Sequence, residues 1–104
     1  MKTLVVIPAH NAQTTLDRLL TETRAYTDSI LVVDDGSRDD TFAIAKSHEV
    51  ESIKHPSNLG LSKAMQTAFA YGAEFGFTHI LTIDSDLQHP PRYIPDFLEV
   101  RPEI

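Results

Sequence analysis

The chain contains no cysteine and no tryptophan, and it carries only four glycines in 104 residues. The lack of cysteine excludes disulfides, thiolate catalysis and cysteine-bound zinc. It also suits a reducing compartment, so a cytoplasmic location is expected. Positive charge is scarce: nine lysines and arginines face fifteen acidic residues, for a net charge of −6. That balance leaves no basic footprint for nucleic acid or an anionic membrane surface. A phosphorylated ligand stays open, because a bound cation can supply the positive charge. No apolar run approaches the ~20 residues that span a bilayer. The opening Met1-Lys2-Thr3-Leu4 runs straight into a strand-like segment, without the pattern of a signal peptide. The few glycines form neither G-x-G-x-x-G nor a Walker loop. The five histidines, His10, His48, His55, His79 and His89, make no H-x-x-x-H pair for a metal. Ser37 lacks the G-x-S-x-G setting of a hydrolase nucleophile.

What is present is an ordinary globular composition, 41% hydrophobic and 23% charged, which argues against disorder and for one domain over residues 1–104. Short apolar runs alternate with segments of helical period. Leu4-Val5-Val6-Ile7, closed by Pro8, is β-branched and continuous, as expected of a strand buried on both faces. Residues 14–26 follow, with Leu16, Leu19, Leu20 and Thr23 on one helix face, and Thr14 with Asp17 resembling a capping box. Ile30-Leu31-Val32-Val33 is a second strand. A helix over 39–49 should turn Phe42, Ile44 and Ala45 inward, with Ser37 or Asp39 as its cap. A third, weaker strand covers 51–54, and Pro56, Asn58 and Gly60 mark a loop. A long helix over 61–75 has Leu61, Ala64, Met65, Ala68 and Gly72 as its apolar stripe. A fourth strand spans 79–83, and Pro95 suits the first turn of a short last helix. The order βαβαβαβ predicts an α/β fold: a parallel sheet with helices on both faces.

In such sheets ligands bind beyond the carboxyl ends of the strands. Those ends carry Pro8-Ala9-His10-Asn11, Asp34-Asp35-Gly36-Ser37 and Asp84-Ser85-Asp86-Leu87-Gln88. Asp84 and Asp86, at i and i+2 past an apolar strand, can reach one hard cation such as Mg²⁺ or Mn²⁺, with Gln88 adding a neutral oxygen. The same residues also read as a solvated turn. Asp34 and Asp35 read as an Asp-Gly turn, or as acceptors for the base and ribose of a nucleotide. Asn58-Leu59-Gly60 reads as a helix start, or as a place where Gly60 lets backbone approach a ligand. Lys63 and Arg92 are the cations of these segments, and each reads first as a solvated surface residue.

Together, Val6-Ile7-Pro8-Ala9-His10-Asn11, the run from Val32 to Thr41, Asn58-Leu59-Gly60-Leu61-Ser62-Lys63-Ala64 and Asp84-Ser85-Asp86-Leu87-Gln88-His89-Pro90-Pro91 resemble the family-2 glycosyltransferases. The likeness covers nearly the whole chain and is closest in flavour to the polyprenyl- and dolichyl-phosphate sugar synthases. Each motif is weak alone, but four in order are specific. The resemblance implies a GT-A, Rossmann-like α/β/α sandwich with a mostly parallel sheet, here truncated after the fourth strand. It implies the N-terminal half, which binds a UDP- or GDP-linked sugar. Pro8, Ala9 and Asn11 would line the nucleoside pocket, with Asp34 and Asp35 at the base or ribose and Asn58 and Gly60 beside them. Asp84 and Asp86 would be catalytic, and with Gln88 would hold Mg²⁺ or Mn²⁺ on the diphosphate. Transfer would invert the anomeric carbon, to an acceptor that in this family flavour is a lipid phosphate. Two departures stand out: Arg92 follows Pro-Pro where the family usually has an acid, and Ala68 stands where many members have glycine. The acceptor half, with its general base, is not represented. The fourth strand would then be an exposed edge, through which two chains could pair near residues 80–83, or which the C-terminal segment could cover. A non-catalytic nucleotide-sugar-binding module is the main alternative. A nucleotidyltransferase reading wants a Gly-rich basic loop where the chain has Ala9-His10-Asn11-Ala12.

Overall fold

The computed structural model describes residues 2–85. Asp86, Gln88, His89, Arg92 and the expected last helix lie outside them. The described chain runs β1 (Thr3–Ala9), α1 (Leu16–Arg24), β2 (Ile30–Asp34), α2 (Thr41–Ser47), β3 (Glu51–Lys54), α3 (Leu61–Glu74) and β4 (His79–Thr82). The four strands form one sheet in the order β3-β2-β1-β4, every pair parallel.

The continuous apolar runs explain this sheet. Leu4, Val5, Val6 and Ile7 are all buried, as are Ile30, Leu31, Val32 and Val33, because both faces are covered. On one face Val5, Ile7, Ile30 and Val32 pack with Leu16, Leu19 and Leu20 of α1 and Ala45 of α2. On the other, Leu4, Val6, Leu31, Val33 and Ile80 pack with Ala64 and Ala68 of α3. The result is the expected α/β/α sandwich. Ala68, fully buried in the second layer, brings a methyl group to the sheet.

Four expectations need correction. Pro8 does not close the first strand, which continues through Ala9. Backbone groups of odd residues in β1 face β2, as Val5 N–H donating to Ser29 O and Asp35 N–H donating to Ala9 O show. Even residues face β4, whose pairing with β1 ends at Val6↔Thr82. The N–H that Pro8 lacks would point past that end, so no ladder bond is lost. Thr14 and Asp17 form no capping box: Thr15 is the N-cap, without a side-chain cap bond, and Asp17 Oδ1 instead meets His48 Nε2 at 2.7 Å. Phe42 is only half-buried, its ring 5.8 Å from the Lys46 and 5.7 Å from the Lys54 ammonium. Leu61 is 66% exposed, because the first residue of α3 stands at the mouth of a cleft rather than over the sheet.

Strand order places that cleft. β1 leads to β2 and β2 to β3 in one direction, through α1 and α2 on one face. The chain then crosses by α3 on the other face to β4, on the far side of β1. The direction of winding reverses between β1 and β4, where a doubly wound sheet opens a crevice at its carboxyl edge.

Candidate functional site

A cleft of about 470 Å³ opens at that crevice, lined by Pro8, Ala9, His10, Asp35, Asn58, Gly60, Leu61, Ala64, Asp84 and Ser85. Six of the residues singled out by sequence meet there: Pro8, Ala9, Asp35, Asn58, Gly60 and Asp84. Asp35 stands at the end of β2 and Asp84 at the end of β4, with Pro8 and Ala9 of β1 between them. The cleft therefore has a carboxylate on each flank of a small, apolar floor.

Asp34 and Asn11 lie off this wall. Asp34 is fully buried, and its Oδ1 accepts the Ser37 N–H at 2.8 Å, fixing the turn after β2. Asn11 adopts φ 52°, a conformation that asparagine tolerates better than most residues. It staples two loops: its N–H donates to Ser37 Oγ at 2.8 Å and its Oδ1 accepts the Arg38 N–H at 2.9 Å. It borders a second groove of about 510 Å³, shared by His10, Gly36, Arg38, Lys54, Ser57 and Asn58 among others. Asp39, rather than Ser37, serves the start of α2: it accepts the Thr41 N–H at 3.0 Å and the Thr41 hydroxyl, and reaches the Gln13 N–H at 3.3 Å. Burial raises the Asp39 pKa, but these hydrogen bonds outweigh it and hold the carboxyl below its ordinary value. Thr41 Oγ1 in turn accepts the Ala12 N–H at 2.8 Å, and Thr15 Oγ1 donates to Ser85 O at 2.5 Å. The loops that frame the cleft are thus tied to one another before any ligand arrives.

Asp35 is held by several bonds at once. Its Oδ1 accepts the Leu59 N–H and meets His55 Nδ1, each at 2.9 Å, and its Oδ2 accepts the Gly60 N–H at 2.9 Å. Burial pushes its pKa up, yet the bonds from His55, Leu59 and Gly60 and the attraction of His55 together lower it. Asp35 is therefore ionised at neutral pH. The glycines beside it are needed for different reasons. A Cβ on Gly36 would lie 2.3 Å from the Ser57 carbonyl carbon, so only glycine lets the turn after β2 touch the loop after β3. Gly60, at φ 96°, faces open space; its backbone conformation, not crowding, calls for glycine.

Asp84 closes the opposite flank and offers one hard oxygen group to a cation. Among the described residues no three histidines, cysteines or acids gather into a metal cluster. Mg²⁺ commonly takes only one or two carboxylates and completes its shell with phosphate and water, so the Asp84 carboxylate is a group of the kind such a site uses. The other expected ligands, Asp86 and Gln88, lie outside the described residues.

Four wall residues went unread as site residues: His10, Leu61, Ala64 and Ser85. His10 carried a signal, since it sits between two residues already placed at the first strand end. His55, which backs Asp35, carried one as well: it is the first residue after β3, whose carboxyl end shares the same edge. Lys63 is exposed and off the wall. None of the described helices is long and apolar enough to cross a membrane.

The family model for glycosyl transferase family 2 matches residues 4–100. The chain is 34% identical, over 90% of its length, to an undecaprenyl-phosphate 4-deoxy-4-formamido-L-arabinose transferase of Shewanella sediminis. It is 31% identical, over 84% of its length, to a UDP-N-acetylglucosamine–dolichyl-phosphate N-acetylglucosaminyltransferase of Methanococcus voltae. It covers 31% of the first of these relatives and 42% of the second, so it spans a third to two fifths of their length. In structure it is similar to glucosyl-3-phosphoglycerate synthase of Mycobacterium tuberculosis, with a TM-score of 0.76 and 25% identity. The match covers 90% of this chain and 37% of that one, which was solved with Mn²⁺, UDP and glucosyl-3-phosphoglycerate. With the family model spanning nearly all of the chain, and relatives of 31–34% identity along most of its length, this chain belongs to glycosyl transferase family 2.

Proposed function

We propose that the cleft between β1 and β4 binds the nucleoside diphosphate of a sugar donor. The nucleoside lies toward Asp35 and the diphosphate toward Asp84. One observation carries this reading: two carboxylates, one held ionised by backbone amides, flank a small-residue floor at the winding reversal of a parallel sheet. A carboxylate such as Asp35 accepts hydrogen bonds from base N–H groups or ribose hydroxyls. Support comes from the similar synthase, which was solved with UDP, with UDP-glucose and Mn²⁺, and with UDP and Mg²⁺.

A diphosphate facing Asp84 needs a cation between the two negative groups. Asp84, with Asp86 and Gln88, would hold Mg²⁺ or Mn²⁺, which when bound supplies charge neutralisation for the departing diphosphate. The reaction we assign to the whole protein is glycosyl transfer with inversion. An acceptor oxygen forms its bond to the anomeric carbon from the face opposite the diphosphate, and the carbon–oxygen bond to the diphosphate breaks, its electron pair leaving with that group. A phosphate acceptor, as the names of the lipid-phosphate relatives suggest, is already anionic and needs no general base. The reading carries two further expectations: work at the cytoplasmic face of a membrane, and self-association through the β4 edge near 80–83. Sedimentation that shows only monomer at every concentration would rule out the association.

Calorimetric titration with UDP and GDP, with Mn²⁺ and again with chelator, tests the donor site. Metal-dependent binding of one nucleotide is expected. No binding of either, with metal present, overturns the proposal.

A further inference from the structure

We infer that His55 is a positioning residue: braced from behind by Thr67, it fixes the Asp35 carboxylate so that the free acceptor position falls on Oδ2, ready for a ligand. The inference rests on the donor-site reading only in naming that ligand a nucleoside.

His55 is 7% exposed and lies behind the cleft wall. Its backbone N–H donates to Asp34 O at 2.8 Å, its Nδ1 meets Asp35 Oδ1 at 2.9 Å, and its Nε2 meets Thr67 Oγ1 at 2.8 Å. A carboxylate has only lone pairs to offer, so the Nδ1 position must carry a proton. In the neutral ring Nε2 is then an acceptor, and the Thr67 hydroxyl donates to it. Asp35 thus sets the tautomer, and Thr67 holds the far side of the ring in place. The alternative tautomer would set two lone pairs against each other at Asp35, whereas the Thr67 hydroxyl can pair with either state of Nε2.

The arrangement also accounts for every lone pair of Asp35. Each carboxylate oxygen has about two acceptor positions. Oδ1 spends both, on His55 and Leu59, and Oδ2 spends one, on Gly60. One position remains, on Oδ2. Because Leu59 and Gly60 lead into α3 and Thr67 lies within it, the contacts form a closed ring: Asp35, His55, Thr67, two turns of α3, Gly60, Asp35. Rotation of the carboxylate would break bonds on both sides of that ring.

Thr67 gives the cleanest test, since it is half-buried and does not itself line the cleft. The chain and its Thr67→Val and Thr67→Ser variants are titrated with uridine and with UDP plus Mn²⁺, and their histidine rings are observed by long-range proton–nitrogen-15 spectra. Thr67→Val removes one hydrogen bond, so uridine and UDP should each bind roughly three- to tenfold more weakly. Thr67→Ser keeps the hydroxyl and should restore affinity. The parent ring should be protonated at Nδ1, and Thr67→Val should keep that tautomer but shift the Nε2 resonance, since the donor to that nitrogen is gone. An Nε2-protonated parent ring, or a Thr67→Val variant with the parent's ring spectrum and affinity, overturns the inference. If the parent binds neither uridine nor UDP, the donor-site reading falls. The positioning of Asp35 then stands or falls on the spectra alone.

Discussion

Asp35 and Asp84 divide the work of the cleft between them, and single substitutions should separate it. Asp84→Ala, and likewise Asp86→Ala, is expected to remove the chelator-sensitive part of UDP binding while leaving uridine affinity within about twofold, because a neutral nucleoside needs no cation. Calorimetry with both ligands checks this, and loss of uridine binding in step with UDP would refute the division. Asp35 also leaves a mark on stability. Its pKa is lowered in the folded chain, so the ionised form is favoured by folding. The stability it contributes is present above its unfolded value and is lost as pH falls through the folded value, a window below about pH 4. Asp39, depressed in the same direction, acts in the same window. Urea midpoints measured from pH 6 to pH 3 should fall less steeply in Asp35→Asn than in the parent. Equal slopes would mean that the amide and imidazole bonds to Asp35 do not favour its charge.

At the level of elements, the site depends on how closely two loops approach. Gly36 and Gly76 have nearly the same backbone angle, φ 76° and 79°, but opposite surroundings. A Cβ at Gly76 meets nothing within 4 Å, whereas one at Gly36 runs into the backbone of Ser57 and Asn58. Gly76→Ala should therefore cost only the left-handed strain, about 1 kcal/mol. Gly36→Ala should cost that strain and also displace the loop after β3, which carries His55 and Asn58. Its urea midpoint should fall further, and nucleotide affinity should fall with it, while Gly76→Ala binds like the parent. The helices tell a similar story in apolar terms. Leu20 is fully buried between α1 and the sheet, so Leu20→Ala should lose about 2–5 kcal/mol of stability by the cavity it leaves.

For the molecule as a whole, ligand binding and folding are linked. A nucleotide held only by the folded cleft stabilises it by about 2.7 kcal/mol at a hundred times its dissociation constant. UDP with Mn²⁺ should raise the melting temperature, and chelator should cancel most of the rise. A nucleotide-induced shift that survives chelation would place the affinity in nucleoside contacts rather than at Asp84. The fold itself tolerates this use of one edge because the core lies elsewhere. Both apolar layers sit over the middle of the sheet, and the carboxyl ends of its strands carry loops stapled by Asn11, Ser37, Asp39 and Thr41.

The sequence by itself determined the layers and the edge. Four short apolar runs between helical periods can bury themselves only as a parallel sheet covered on both faces, and the stripe of Leu16, Leu19, Leu20 and Thr23 is buried as its spacing requires. It also put Pro8, Ala9, Asp35, Asn58, Gly60 and Asp84 at strand ends and helix starts, where the cleft lies. The tertiary structure alone decided which acid of the Asp34-Asp35 pair faces the cleft. Alternation along β2 carries Asp34 into the turn, and the next residue meets α3, a segment more than twenty positions away. For the same reason Asn11 proved a staple between loops, Leu61 stood out of the core, and His55 came to rest behind Asp35. Each of these depends on a partner distant in the chain, and local pattern holds no record of which distant group the fold will bring near.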